Sequence, residues 1–290
     1  MINITLPDGS VKKFDAGVTP LDVAMSISEG LARNVISASF NGTTVETKTS
    51  LTTDGSLILF TWNDKEGKKA FWHSTSHVMA QALQEMYPGV KLTIGPAIDN
   101  GFYYDVDFGE HHITDKEFKA IEDRVLEISR EKHEFKMRSA TKAEALEFYK
   151  KENNPYKTEL IENLEDGTIT FCDHATFTDL CRGGHIPNTG LIKAMKIMSV
   201  AGAYWRGDEK NKQLTRVYGI SFPKQKDLTE YLELLEEAKR RDHRKLGKEL
   251  ELFTFSQKVG QGLPLWLPKG SARRDRLEQF LKKAQKKAGY

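Results

Sequence analysis

Two short stretches of the sequence carry residues whose types and spacing suit chemistry. In HSTSH (73–77), two imidazoles stand four residues apart, which on a helix puts them on one face, one turn from each other. About a hundred residues later, DLCRGGHIP (179–187) sets Cys181 and His185 around Arg182, Gly183 and Gly184. The glycines let backbone approach whatever occupies the site, and Pro187 stiffens the exit. His73, His77, Cys181 and His185 form a donor set that suits tetrahedral zinc. The glutamate of the H-E-x-x-H zinc hydrolases is absent. Asp179, and Lys157 in NPYKTE, add a carboxylate and an ammonium that a closed zinc cage does not need. These parts can assemble a site for hydrolysing an acyl ester.

The elements that must position them follow from pattern. Val78, Met79, Ala82, Leu83 and Met86 predict a helix from about Trp72 to Met86, stopped by Pro88-Gly89. His73 then lies near a helix N-terminus, where the dipole keeps an imidazole neutral and free N–H groups face a developing oxyanion. Upstream, residues 1–62 read as a module of their own. A hairpin turns at Pro-Asp-Gly, a helix starts at the capping box of Thr19 and Asp22 and ends at Gly30, and three strands follow, the first two joined by Asn41-Gly42. That order suggests a β-grasp module, followed by a charged linker over 63–69. Downstream, capping boxes at Thr114 and Thr141 open two helices, and strands near 91–94, 102–107, 168–171, 193–200 and 214–221 give an α+β domain. Residues 226–246 read as one connecting helix and 273–287 as another.

The 290 residues are 39% hydrophobic and 29% charged, enough apolar content for real cores and enough length for two domains. No apolar run reaches membrane-spanning length, and MINITLPDGS lacks the segments of a secretory signal. The expectation is a cytoplasmic protein with no membrane partner and two free thiols, Cys172 and Cys181. Net charge is only +2, yet residues 239–250 carry six Lys/Arg against two acids and residues 269–290 carry eight against two. Such a stripe suits a polyanion if other features support one.

Five motifs in register supply that support. HSTSH (73–77), IGPAIDNGFYYDVD (94–107), DLCRGGHIP (179–187), SVAGAYWRGD (199–208) and RDHRKLG (241–247) resemble, in this order, bacterial threonyl-tRNA synthetases. The resemblance implies an α+β chain: a ubiquitin-like TGS β-grasp domain over 1–62, an editing domain shared with alanyl-tRNA synthetases over 63–225, a linker helix over 226–246, and the start of a class II catalytic core over 247–290. It implies an N-terminal part that hydrolyses seryl-tRNA(Thr) mischarged by the enzyme, while ATP, magnesium and one zinc belong to a core beyond Tyr290. Full-length members are homodimers through that core, which leaves this chain compatible with a monomer.

By the same resemblance the editing site comprises His73, His77, Lys157, Asp179, Cys181 and His185. His73 or His185 handles the attacking water and Lys157 the leaving ribose oxygen. Asp179 holds the serine ammonium or hydroxyl, and Cys181 forms the wall that rejects the threonine methyl. Tyr104, Arg182 and Gly183 are candidates for substrate contact, Tyr104 against the terminal adenosine. Arg206, Lys239, Arg240, Arg241 and Arg244 are candidates for the tRNA acceptor arm. A metal-free editing site is expected; zinc, if bound, would sit on His73, His77, Cys181 and His185. Two rival readings have clear markers. Stoichiometric zinc with turnover of small esters or amides would mark a free-standing metallohydrolase, and tRNA binding without deacylation a non-catalytic RNA-binding module. The chain has no G-x-x-x-x-G-K-[ST] phosphate loop.

Overall fold

A computed structural model describes every residue of the chain except Gln261. Ile2, Ile4 and Leu6 alternate with polar neighbours and are all buried, so β1 (Ile2–Thr5) turns one face to a core. The chain returns as β2 (Val11–Phe14). Thr19 and Asp22 cap α1 (Pro20–Ile27), and the Ser28 hydroxyl then caps a short second helix, α2 (Glu29–Asn34). Gly30, expected to end a helix, therefore lies inside one: the new cap at Ser28 overrides its low propensity. Strands β3 (Val35–Phe40), β4 (Thr43–Val45) and β5 (Gly55–Thr61) complete a sheet ordered β2-β1-β5-β3-β4, with β1 and β5 parallel. Ile4, Val23, Ala38 and Leu57 form its sealed core. Each of the larger aliphatic chains contributes about 1.5–3 kcal/mol by burial.

The next helix, α3, spans Lys65–Met86, so the stretch read as a charged linker forms its first turns. Gly67 explains the misreading. A Cβ there would meet Thr61 O at 1.9 Å, so this glycine lets the helix pass against the end of β5 instead of breaking it. There follow β6 (Lys91–Leu92), β7 (Ala97–Ile98), β8 (Gly101–Asp107), α4 (Asp115–Arg130), β9 (Lys136–Ser139), α5 (Lys142–Lys151), α6 (Pro155–Glu162), β10 (Thr170–His174), β11 (Phe177–Leu180), β12 (Ala194–Tyr204) and β13 (Gln213–Phe222). An antiparallel sheet β12-β13-β8-β6, with β7 beside β8, packs against α3 and α4. A smaller sheet, β11-β10-β9, shares a core of Ala145, Tyr149, Ile161 and Phe171 with α5 and α6. The architecture is α+β, and the β-grasp and α+β modules lie in one compact unit, Met1–Leu228.

Thr229–Tyr290 forms a second unit. The helix expected over 226–246 is interrupted there. Helix α7 (Gln225–Arg240) stops, and Asp242 caps α8 (His243–Glu249) by accepting from the Arg244 N–H. A hairpin of β14 (Phe253–Phe255) and β15 (Pro264–Trp266) leads to α9 (Pro268–Lys287). Among the described residues, no helix is long and apolar enough to cross a membrane.

Candidate functional site

His73 and His77 project from α3, their ring centroids 4.7 Å apart. The three residues between them are buried hydroxyls, and each has a task. Ser74 Oγ accepts from the Ile186 N–H at 2.9 Å, Thr75 Oγ1 meets Ser221 Oγ at 2.8 Å, and Ser76 Oγ donates to Gly95 O at 2.6 Å. They pin the helix to the loop, sheet and turn around it. His73 lies two turns inside α3, beyond reach of a dipole that fades within the first turn. The expected helix-end donors are therefore not beside it. Burial, not the dipole, holds the His73 imidazole below its ordinary range and so neutral.

The hairpin β10–β11 carries Asp179 on its second strand and releases the chain at Cys181. Gly183 and Gly184 follow with φ of 95° and 89°, left-handed values that suit glycine. The turn brings His185 Nε2 to 3.3 Å from Cys181 Sγ, while His73 Nε2 lies 3.0 Å from the same sulfur. His77 and His185 rings are 5.2 Å apart, so segments a hundred residues distant in sequence meet. Burial alone would raise the Cys181 thiol. The charge of His77 and the hydrogen bonds with His185 and His73 overcome it and hold Cys181 well below the usual thiol range. Burial opposes charge on His185, but contacts with Cys172, Cys181 and Glu46 hold its imidazole above the ordinary value.

Lys157 reaches the cluster because Asn154 caps α6, its Oδ1 accepting from the Lys157 N–H, with Pro155 at the first helical position. Lys157 Nζ then donates to Asp179 Oδ1 at 2.5 Å, both side chains under 5% exposed. The Tyr104 hydroxyl donates to Asp179 Oδ2 at 2.6 Å, Tyr149 reaches Oδ1 at 3.4 Å, and His77 Nδ1 lies 3.1 Å from Oδ2, out of line for a good hydrogen bond. Burial would raise the Asp179 carboxyl; Lys157 and His77 instead hold it far below the carboxylate range. Asp179 thus ties Lys157 and Tyr104 into one buried cluster.

Tyr104 is fully buried with its hydroxyl committed, so it cannot be the platform expected for an adenosine; it anchors Asp179 instead. Arg182 and Gly183, with His73, His77, Lys157 and Cys181, line a cavity of about 1070 Å³ whose walls include Ile94, Pro96, Leu160 and Leu164. Arg206 is half-exposed and paired with Glu159 at 2.9 Å. Lys239, Arg240, Arg241 and Arg244 lie in the second unit and pair locally with Glu236, Glu237 and Asp242. Pattern reading missed Tyr149, whose hydroxyl accepts from the Leu180 N–H at 2.8 Å, and His174, a buried ring pushed down to about 3 by desolvation. It also missed Glu46 of the β-grasp module, whose Oε1 lies 2.9 Å from His185 Nδ1. Nothing in the local pattern around any of the three marks it.

The donor atoms of His73, His77, Cys181 and His185 all lie within 4.8 Å of one another. His77 Nε2 is buried with no partner, and carboxylates stand behind His77 and His185, an arrangement common behind metal-bound imidazoles. The donor set fits zinc.

Two family models match the chain: the TGS domain over residues 2–61 and the threonyl and alanyl tRNA synthetase second additional domain over residues 169–218. The whole chain is 82% identical to the threonine--tRNA ligases of Flavobacterium psychrophilum and Flavobacterium johnsoniae and 58% identical to that of Porphyromonas gingivalis. It spans 44–45% of the length of these relatives. The chain belongs with the N-terminal region of the threonine--tRNA ligases.

Proposed function

We infer that the cleft hydrolyses the ester joining serine to the 3′ end of tRNA(Thr), the correction step of an enzyme that attaches threonine to that tRNA with ATP. One observation carries the reading: α3, α6 and the β11 loop bring two imidazoles, a buried ammonium and a perturbed thiol to one cavity of about 1070 Å³. That volume accommodates an aminoacylated nucleoside. A pocket built for threonine rejects serine by only about 1–3 kcal/mol, too little for accurate decoding, so a second pocket that excludes the extra methyl is needed.

His73 is the proposed water-handling residue: it is neutral, lines the cavity and is partly open. His185 has both ring nitrogens engaged and no exposed surface, which makes it a support. Lys157 stabilises charge on the ribose oxygen, Asp179 holds Lys157, His77 and Tyr104 in place, and Cys181 forms the wall. Zinc on the four donors is a second reading of the same site; such an ion would supply Lewis acidity where a coordination position stays open and structural bracing where none does. ATP, magnesium and a further zinc are assigned to the rest of the enzyme, whose homodimer and cytoplasmic setting follow from the resemblance alone. The proposed divisions are 1–62, 63–225, 226–246 and 247–290. Arg182 and Gly183 are proposed to meet the terminal adenosine, and Arg206, Lys239, Arg240, Arg241 and Arg244 the acceptor-arm phosphates. Deacylation of seryl-tRNA(Thr) tests the reading. His73→Ala should slow it by roughly 10²–10⁴-fold, the range of general-base catalysis, and an unchanged rate would remove His73 from the chemistry.

A further inference from the structure

Glu46 belongs to the β-grasp module, one residue past β4 and within the TGS match. Its backbone is fixed, since its carbonyl accepts from the Thr49 N–H at 3.1 Å and β4 pairs with β3. The side chain nevertheless crosses to the other module. One carboxylate oxygen, Oε1, gathers three donors there: the Gly184 N–H at 3.1 Å, the His185 N–H at 3.3 Å and His185 Nδ1 at 2.9 Å. Consecutive left-handed glycines turn those two N–H groups the same way, a backbone arrangement suited to an anion. The His185 side chain has no exposed surface, and Glu46 is the carboxylate that reaches it.

We propose that Glu46 is a positioning residue of the candidate hydrolytic site. By accepting from Nδ1 it holds the His185 ring with its other nitrogen toward Cys181 Sγ, and by accepting from the Gly184 and His185 N–H groups it sets the loop carrying Arg182 and Gly183. The catalytic consequence rests on the hydrolytic reading above. The structural part stands independently, because the contacts are between atoms in place. The N-terminal module is thereby part of the site and not an appendage to it. A second contact between the same modules provides the internal control. Lys48 pairs with Glu134 at 2.5 Å on the exposed surface, and neither side chain hydrogen-bonds to His185.

The test uses the full chain with Glu46→Ala, Glu46→Gln and Lys48→Ala. Nitrogen-15 spectra of the histidine rings read the hydrogen bond at His185 Nδ1, and single-turnover assays read hydrolysis of seryl-tRNA(Thr). Glu46→Ala should shift the His185 Nδ1 resonance away from its carboxylate-bonded position and lower the maximal rate roughly 10- to 100-fold, as removal of carboxylates behind functional histidines does, with half-saturation shifted by no more than about 2-fold. Glu46→Gln keeps an acceptor oxygen and the side-chain volume. It should retain the ring state and most of the rate, and it covers the case in which the alanine variant does not fold. Lys48→Ala should leave both readouts within about 2-fold, as exposed pairs contribute little. An unchanged Nδ1 resonance in Glu46→Ala, an altered ring state without a slower reaction, or an equal effect in Lys48→Ala would each overturn the proposal. Absence of hydrolysis in the unsubstituted chain would sink the functional reading instead, and the ring spectra would still decide whether Glu46 positions His185.

Discussion

Lys157 and Arg241 are both cations held beside a carboxylate, yet they belong to different physics. Lys157 and Asp179 are 3% and 4% exposed, 2.5 Å apart, with Tyr104, Tyr149 and His77 around them. Arg241 is 75% exposed and shares Glu237 with Arg240 at the end of α7. Burial makes the first charge part of a fixed cluster that cannot lose a member. Exposure makes the second a mobile, screened charge, free to trade its carboxylate for a phosphate. Both side chains are cations; the surroundings set what each can do.

Breaking one partner in each region should expose the difference. Asp179→Ala leaves Lys157 buried and unpaired, and urea unfolding should show a loss of about 3–5 kcal/mol. Glu237→Ala should change stability by less than about 1 kcal/mol in the same assay, because exposed pairs contribute little. A loss of comparable size at both sites would erase the distinction.

Function should separate the regions as well. Lys157→Met should slow the maximal rate of seryl-tRNA(Thr) hydrolysis by roughly 10²–10³-fold, as removal of a group stabilising developing charge does. Arg240→Ala with Arg241→Ala should leave that rate alone, weaken tRNA binding, and reduce the slope of log affinity against log salt by about 0.9 for each phosphate no longer neutralised. The smallest effect concerns a partly buried carboxylate in a helix cap. The Thr114 N–H, with Tyr87 and His111, holds Glu117 down at about 2 against an ordinary 4.5. Because its folded value is depressed, its contribution to stability is full above pH 4.5 and fades as pH falls toward 2. Glu117→Gln should lower stability above pH 4.5, and the difference from the unsubstituted chain should shrink as pH falls toward 2.

The sequence was legible where chemistry and pattern coincide. The two histidine-bearing motifs, with Asp179 and Lys157, named the residues that meet in the cleft, and the alternation of Ile2, Ile4 and Leu6 announced the β-grasp core. It was less legible where a local signal has a distant cause. Gly67 reads as a helix breaker but exists for contact with Thr61, and so α3 begins earlier than its apolar face. The start of α6 was written in Asn154-Pro155, a cap and first-turn proline that a short helix does not otherwise advertise. Tyr104 lies in a motif, which suggested contact with substrate, whereas strand alternation turns it inward to Asp179. Glu46 had no pattern at all, since its partner is 139 residues away.

The central claim is that one cleft admits serine on an RNA end and turns threonine away. Single-turnover hydrolysis of seryl-tRNA(Thr) and threonyl-tRNA(Thr) by this chain, side by side, tests it most directly. The seryl ester should be cleaved at least about tenfold faster, the discrimination one methyl group can provide by steric exclusion. Equal rates for the two esters, or no hydrolysis of either, would contradict it.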